Sequence, residues 1–285
     1  MNLLRCPLCH ASFISLDNAK SNLLGGELHH SLVCVNRHNF DRAKEGYFNL
    51  LPVQFKQSLE PGDSKAQLRA RRLFLQAGYY ATLRATVQNL LPQSALALLD
   101  LGCGEGYFTQ ALAEQLPSAQ VYGVDISKEG VRMAAKYASQ QTHLVKTQSP
   151  LYLVASAFDV PLLDGSLDVI TRIYAPSRAT ELNRLLKPEG VLIVVTPGND
   201  HLLGLRTRIY EEVRPHPVPQ APEGFTLLSQ SELTGGVSVC PGEMTEALLA
   251  MTPFAWKMPS SLSVSMIQEG IEDGYHFIVS CYGKC

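Results

Sequence analysis

Two groups of residues in this chain have side chains and spacings suited to chemistry. The first is Cys6-Pro7-Leu8-Cys9, followed by Cys34 and, four residues on, His38. Two thiolates on a tight turn, plus a Cys and a His, supply the donors of a tetrahedral zinc site, and with no fifth ligand in view the site reads as structural. His10, His29 and His30 lie near enough in sequence to stand in for His38. A redox role for Cys-x-x-Cys needs a strand–helix–strand setting, which this stretch lacks. A module this small could hardly bury a core of its own without the metal.

The second group closes an apolar run. Leu98-Leu99-Asp100-Leu101 leads into Gly102-Cys103-Gly104-Glu105-Gly106, and Tyr107 to Leu116 then has helical character. Glycines let a backbone approach a ligand and take positive φ without a Cβ clash, and the helix start beside them leaves N–H groups free. The next apolar run, 120–124, ends at Asp125. That is about 20 residues past the glycines, where nucleotide-binding sheets place a carboxylate for ribose hydroxyls. The pattern is Gly-x-Gly-x-Gly with Asp100 before it, not the Gly-x-Gly-x-x-Gly that seats a pyrophosphate. It resembles the first motif of the S-adenosylmethionine-dependent methyltransferases. The resemblance implies that Asp100, Gly102, Gly104, Gly106 and Asp125 surround S-adenosylmethionine, with the loop passing under its amino-acid tail.

These groups need elements to hold them. Strands are predicted at 96–101, 120–124, 151–155, 167–173 and 190–196, and helices at 107–116, 127–138, 177–186 and 199–213. Such alternation signals a doubly wound, mainly parallel α/β sheet. Late strands at 225–233 and 274–283 complete a seven-stranded class I methyltransferase sheet with an antiparallel edge hairpin. Between them lies a short helix, and Trp256 there reads as core. Ahead of the sheet, a helical pattern runs from Ser64 towards Leu90, broken near Gly78, with Phe74, Leu75, Tyr79, Tyr80 and Leu83 at core spacing. The organisation predicted is a zinc-binding, RNA-recognition module over 1–50, a helical linker over 51–93 and the cofactor-binding domain over 94–285.

Strand ends of open α/β sheets carry the ligands. Ser156 stands where many methyltransferases place an Asp after the third strand, leaving the adenine to backbone contacts or to Asp159. After the fourth strand comes Tyr174-Ala175-Pro176. The Asn/Asp-Pro-Pro-Tyr of exocyclic-amine methylation is absent, as is a motif Cys to attack a pyrimidine; Cys103 lies under the loop and reads as inert.

At this level the resemblance becomes specific. The run Cys-Pro-Leu-Cys-His, then Cys-x-x-Arg-His-x-Phe-Asp-x-Ala-Lys-Glu-Gly-Tyr-x-Asn-Leu-Leu-Pro-Val-Gln, is similar to the bacterial 23S rRNA (guanine-N1)-methyltransferases. So are Pro61-Gly62-Asp63-Ser64, Ala70-Arg71-Arg72, Ile173-Tyr174-Ala175-Pro176 and Met251-Thr252-Pro253-Phe254-Ala255-Trp256. The 15–31 stretch is the main departure. The resemblance implies methylation of a hairpin-loop guanine (position 745, or 748 in the macrolide-resistance branch), dimerisation, and a zinc module that helps bind RNA. It also implies cofactor contacts at Tyr80, Gly104, Glu105 and His201. Guanine N1 carries a proton that must leave as the methyl arrives; Tyr174, Asp159 and Glu105 are the candidate bases, and Tyr174 is equally suited to stacking on the target base.

Composition bounds the rest. Hydrophobic residues make up 46% and charged ones 18% of 285 residues, enough for one large α/β domain plus a small module. No apolar run reaches the ~18 residues of a membrane span, and the N-terminus has no signal-peptide core, so a cytoplasmic location is expected. Seven cysteines in such a chain do not read as a disulfide framework. Net charge is −2, yet residues 1–93 hold eleven Lys or Arg against six Asp or Glu, a basic excess that suits a polyanion. Lys65, Arg69, Arg71, Arg72 and Arg84 are its phosphate-contacting candidates. Two rival readings are a small-molecule methyltransferase whose zinc module mediates dimerisation, and a non-catalytic RNA-binding protein.

Overall fold

The strand Ala97–Leu101 has every residue buried, which decides the architecture. Ala97, Leu99 and Leu101 enter one hydrophobic cluster and Leu98 the other. Side chains alternate along a strand, so this sheet is covered on both faces, as parallel sheets require. The structure, a computed structural model, describes residues 3–14, 31–55, 62–141 and 149–285. Most of the 15–31 departure, including His29 and His30, lies outside the described residues.

In chain order, β1 (Ser31–Val33) and β2 (Asn39–Asp41) form an antiparallel pair and β3 (Phe48–Asn49) follows. Helices α1 (Lys65–Gln76) and α2 (Ala81–Asn89) lead to β4 (Ala97–Leu101), α3 (Tyr107–Gln115), β5 (Gln120–Asp125) and α4 (Lys128–Gln141). Then come β6 (Leu151–Val154), β7 (Leu167–Ile173), α5 (Ala179–Leu185), β8 (Leu186–Pro197) and α6 (Leu203–Ile209). The last elements are β9 (Phe225–Val239), α7 (Glu243–Met251), a 3-10 turn at Pro253–Trp256, α8 (Ser260–Glu269) and β10 (Ile271–Lys284). The sheet order is β3-β6-β5-β4-β7-β8-β10-β9, and only β10 runs antiparallel to its neighbours.

All seven expected strands are present, and β3 adds an eighth at the edge by pairing Phe48 with Leu153 and Asn49 with Val154. Leu4 also bridges to Leu162, so the N-terminal segment is tied to the connection between β6 and β7. The break near Gly78 separates α1 from α2, with Gly78 at φ 89°. Ser64 and Gln67 form a reciprocal capping box that starts α1. Three expectations need correction. β9 and β10 pair antiparallel at the sheet edge as expected, but two helices, α7 and α8, lie between them where the sequence pattern predicts one. α6 begins at Leu203 rather than 199, because residues 198–202 are tied to β10. Trp256 is 81% exposed rather than core, since the short 3-10 turn presents it outward. Among the described residues no helix is long and apolar enough to cross a membrane.

Asp168, on β7, anchors the start of the central strand. Its Oδ2 accepts the N–H groups of Leu96 and Ala97 at 3.0 and 2.9 Å, and its Oδ1 lies 2.6 Å from Lys187 Nζ. Burial alone would raise this carboxyl, but Lys187 and the two amides outweigh it and hold the pKa below the usual value. The stability it contributes is therefore full above about pH 4 and is lost as pH falls through the depressed folded pKa. Asp168→Asn is expected to lower stability at pH 7 by about 1–2 kcal/mol in urea denaturation and to flatten the acid limb of the stability curve. A variant as stable as the parent at pH 7 would contradict this.

Candidate active site and metal centre

Two tight corners assemble the metal ligands. In the first, the His10 N–H bonds to the Cys6 carbonyl at 2.9 Å and the Cys6 N–H to that of Ala11 at 2.8 Å. In the second, the Arg37 N–H bonds to the Cys34 carbonyl at 2.8 Å and the Cys34 N–H to that of His38 at 3.0 Å. The ligand atoms of Cys6, Cys9, Cys34 and His38 all lie within 4.8 Å of one another. The Cys9 and Cys34 sulfurs are 3.7 Å apart, and His38 Nδ1 is 3.4 Å from the sulfurs of both Cys6 and Cys34. Zinc–sulfur bonds of about 2.3 Å at tetrahedral angles put sulfurs about 3.8 Å apart, so this donor set fits zinc. The protein fills all four positions, which makes the site structural. His10 is not part of it: its Nε2 lies 3.7 Å from Asp159.

The glycine loop is built from three positive-φ residues, Gly102 at 81°, Gly104 at 52° and Gly106 at 85°. Their roles differ. A Cβ on Gly102 would sit 2.3 Å from that of Ala175, and one on Gly106 2.7 Å from that of Ala134, so both permit close packing of neighbouring elements. A Cβ on Gly104 would meet only Arg71 Nη1, at 3.6 Å, which leaves this glycine on the open side of the loop. Asp125 Oδ2 accepts the Gly104 N–H at 2.9 Å, and its Oδ1 accepts the Ser127 N–H at 2.7 Å. Asp100 lies below the loop, 2% exposed, taking hydroxyls from Thr109 at 2.6 Å and Thr171 at 3.0 Å.

Burial raises the carboxyls of this region. It pushes Asp100 up to about 6, against the pull of its two hydroxyl donors, and Glu105 up to about 7, against Arg71 and Arg72. Asp125 is raised by burial as well. A loop ringed by three carboxylates suits a cationic ligand and repels a pyrophosphate. The Cys103 thiol is pushed up strongly by burial and is inert in this setting.

Facing the loop is an aromatic group from distant parts of the chain. His201 lies 4.7 Å from Phe277, 6.2 Å from Tyr80 and 6.1 Å from Tyr174, centroid to centroid. Ala175, which packs on Gly102, follows Tyr174 directly, so the group adjoins the loop. The Tyr80 hydroxyl is buried with no hydrogen-bond partner among the described residues, and burial pushes its phenol up. An orphaned buried hydroxyl beside a ligand loop marks a place for a polar group of that ligand. Burial lowers His201 to about 3, so its ring is neutral. The predicted cofactor residues Tyr80, Asp100, Gly102, Gly104, Glu105, Gly106, Asp125 and His201 thus fall in one region. Phe277 and Tyr275 of β10 complete the aromatic group and were missed, because nothing local distinguishes them from core residues.

The other candidates separate. Asp159 is held by Arg5 at 2.7 Å and so is occupied at the ribbon contact rather than free as a base. Tyr174 is half-exposed, at φ 55°. Arg71 pairs with Asp63 at 2.5 Å. Arg72 donates to the Met133 carbonyl and lies over the Tyr137 ring, and Arg84 lies over that of Tyr107. Arg72, Arg84, Glu105, Tyr107 and Tyr137 line a cleft of about 350 Å³ beside the loop.

The strand order, the glycine loop over a buried Asp and the Cys3His cluster together define a class I S-adenosylmethionine-dependent methyltransferase with an N-terminal zinc ribbon. Family models agree: residues 92–216 match one described as "Methyltransferase domain", and residues 4–59 match a zinc-ribbon model described as "RlmA, N-terminal". YxjB of Bacillus subtilis (strain 168), described as "Putative 23S rRNA (guanine-N(1)-)-methyltransferase", is 32% identical over 94% of this chain and 92% of its own length. The 23S rRNA (guanine(748)-N1)-methyltransferase of Streptomyces fradiae is 32% identical over 75% of this chain and 74% of its own. The chain belongs to the 23S rRNA (guanine-N1)-methyltransferase family.

Two outcomes test the site. The purified chain should carry one zinc per polypeptide by elemental analysis, and Cys34→Ser should lose it with a fall in thermal midpoint; undiminished zinc would remove Cys34 from the ligand set. Gly102→Ala should weaken S-adenosylmethionine binding about tenfold or more in calorimetry, since an Ala at positive φ with a Cβ clash costs about 1–3 kcal/mol. Gly165→Ala, also at positive φ but with nothing within 4 Å of its added Cβ and placed ahead of β7 at the other end of the sheet, is the control that should leave binding unchanged.

Proposed function

We propose that this protein transfers a methyl group from S-adenosylmethionine to N1 of a guanine in a hairpin loop of 23S rRNA. The observation that carries this reading is the similarity to YxjB, which spans 94% of the chain and so includes both the ribbon and the glycine loop. The same reading makes the protein a cytoplasmic homodimer whose ribbon helps hold the RNA. The basic excess of residues 1–93 suits that partner.

The side chains divide the work. When bound, S-adenosylmethionine supplies an electrophilic methyl on a sulfonium. Asp100, Glu105 and Asp125 favour its positive charge, Asp125 is placed for ribose hydroxyls, and Tyr80 and His201 offer donors to its carboxylate. Tyr174 stacks on a guanine turned out of its loop, which presents N1 to the methyl and aligns the two for in-line displacement. Of the three candidate bases, Glu105 titrates near neutrality, Asp159 is engaged with Arg5, and Tyr174 is better placed to stack. The N1 proton leaves as the methyl arrives, so the product is an uncharged 1-methylguanine.

The reading takes position 745 as the target on the family resemblance alone. The specific observation favouring 748 instead is the similarity to the Streptomyces fradiae enzyme, named for that guanine. Methyl transfer to unmodified 23S rRNA, mapped by reverse-transcription stops, tests the function, because N1 methylation blocks Watson–Crick pairing. One stop at 745 is expected; a stop at 748 would select the other branch. No incorporation into RNA, with cofactor still bound, would turn the reading towards a small-molecule acceptor.

A further inference from the structure

The residues between β8 and α6 carry His201, and they are gripped from two sides by groups outside the aromatic cluster. On the β10 side, the Gly198 N–H donates to the His276 carbonyl and the Leu202 N–H to that of Gly274, both at 2.8 Å. The His276 N–H donates in turn to His201 Nδ1 at 3.3 Å. The His276 ring itself lies against Gly198, where a Cβ would fall 2.3 Å from it. Its Nδ1 accepts the Asp200 N–H at 3.4 Å, and the Asp200 and Glu232 carboxylates stand 3.6 and 3.4 Å from Nδ1 and Nε2.

On the α6 side stands Arg206, only 4% exposed. It donates to the carbonyls of Asn199 at 2.7 Å and His201 at 3.5 Å, and to that of Arg214. Among the described residues no carboxylate lies within ion-pair distance of it. A buried guanidinium is unfavourable unless its donors are met, and here two carbonyls of this loop and that of Arg214 meet them. Arg206 is therefore comfortable only when residues 199–201 have this shape. It also places a buried positive charge behind the loop.

The grip has a chemical consequence. Because Nδ1 of His201 accepts an N–H, the ring proton is on Nε2, and the imidazole is a donor there. The groups facing the ring are Tyr80 at the start of α2, Tyr174 after β7, His276 and Phe277 on β10, Arg206 on α6 and His216 beyond it. None of these is anionic; the nearby carboxylates are engaged elsewhere, Asp273 by the Gly204 and Leu205 amides and Asp200 and Glu232 beside the His276 ring. An acceptor with negative charge is what this surrounding favours.

We propose that His276 and Arg206 are positioning residues, a two-sided clamp that holds residues 198–202 so that His201 presents an Nε2–H donor to the carboxylate of the cofactor's amino-acid tail. The proposal rests on the cofactor-facing role of His201 given above. It leaves the RNA target open.

The test uses the full chain and two readouts, histidine 15N–1H long-range spectra and calorimetric binding of S-adenosylmethionine without RNA. His201 is expected as the Nε2–H tautomer, not titrating between about pH 5 and 8. His276→Ala and Arg206→Gln should let it titrate and should weaken cofactor binding about tenfold. KM for the cofactor should rise with kcat at saturation kept within about twofold, as lost uniform binding requires. His276→Gln, whose amide oxygen can accept the Asp200 N–H, should restore most of the affinity. The double variant His201→Ala with His276→Ala should bind no more weakly than His201→Ala alone, as for two residues acting through one contact. Should Arg206→Gln fail to fold, the His276 pair decides. A folded His276→Ala with unchanged cofactor affinity and an unchanged His201 spectrum would overturn the clamp. His201→Ala with full cofactor affinity would overturn it through its premise, while methyl transfer to RNA, measured separately, could still stand.

Discussion

One buried carboxylate holds the catalytic end of the sheet together. Asp100 is 2% exposed, and its two oxygens take the hydroxyls of Thr109 on α3 and Thr171 on β7, both fully buried. A carboxyl in that position is unfavourable unless its oxygens are satisfied, so the three elements must meet in this one way. With the end of β4 and the first turn of α3 pinned, the intervening residues have little length to make the turn. They make it with positive φ at three glycines, and Asp125 then catches the Gly104 amide. The loop is thus shaped from below by Asp100 and from the side by Asp125.

The site built on this anchor has two electrostatic sides. Asp100, Glu105 and Asp125 form the acidic side, where burial without full counter-charge keeps their pKa values high. The neutral donors Tyr80 and His201 form the other, with the positive charge of Arg206 behind them. A ligand with a sulfonium and an α-carboxylate matches both sides, whereas a dinucleotide phosphate would meet the wrong charge at the loop. The ribbon joins this framework through β3 on the sheet edge and through the Arg5–Asp159 ion pair, so a metal-dependent corner and the sheet share contacts.

Much of this was legible along the chain because the signals are local. The Cys-x-x-Cys and Cys-x3-His spacings, the Gly-x-Gly-x-Gly after an apolar run, and the alternation of strands and helices each depend on neighbouring residues. The break at Gly78 and the helix start at Ser64 are of the same kind. What escaped was non-local. The α8 helix lacks a strong apolar stripe, Trp256 projects from a turn too short to bury it, and β3 is only two residues long and owes its strand character to β6.

By itself, then, the sequence determined the two candidate ligand groups, the sheet class and most strand positions, because backbone preference, periodicity and ligand spacing are properties of short segments. It could not decide which histidine completes the zinc set: His10 and His38 are both near, and only the second corner's geometry brings His38 Nδ1 to the sulfurs while His10 turns to Asp159. Nor could it single out Phe277, Tyr275 and His276, which reach the site because β10 inserts between β8 and β9. The protonation of His201 was likewise decided in three dimensions, since it depends on burial and on an N–H donated by a residue 75 positions away.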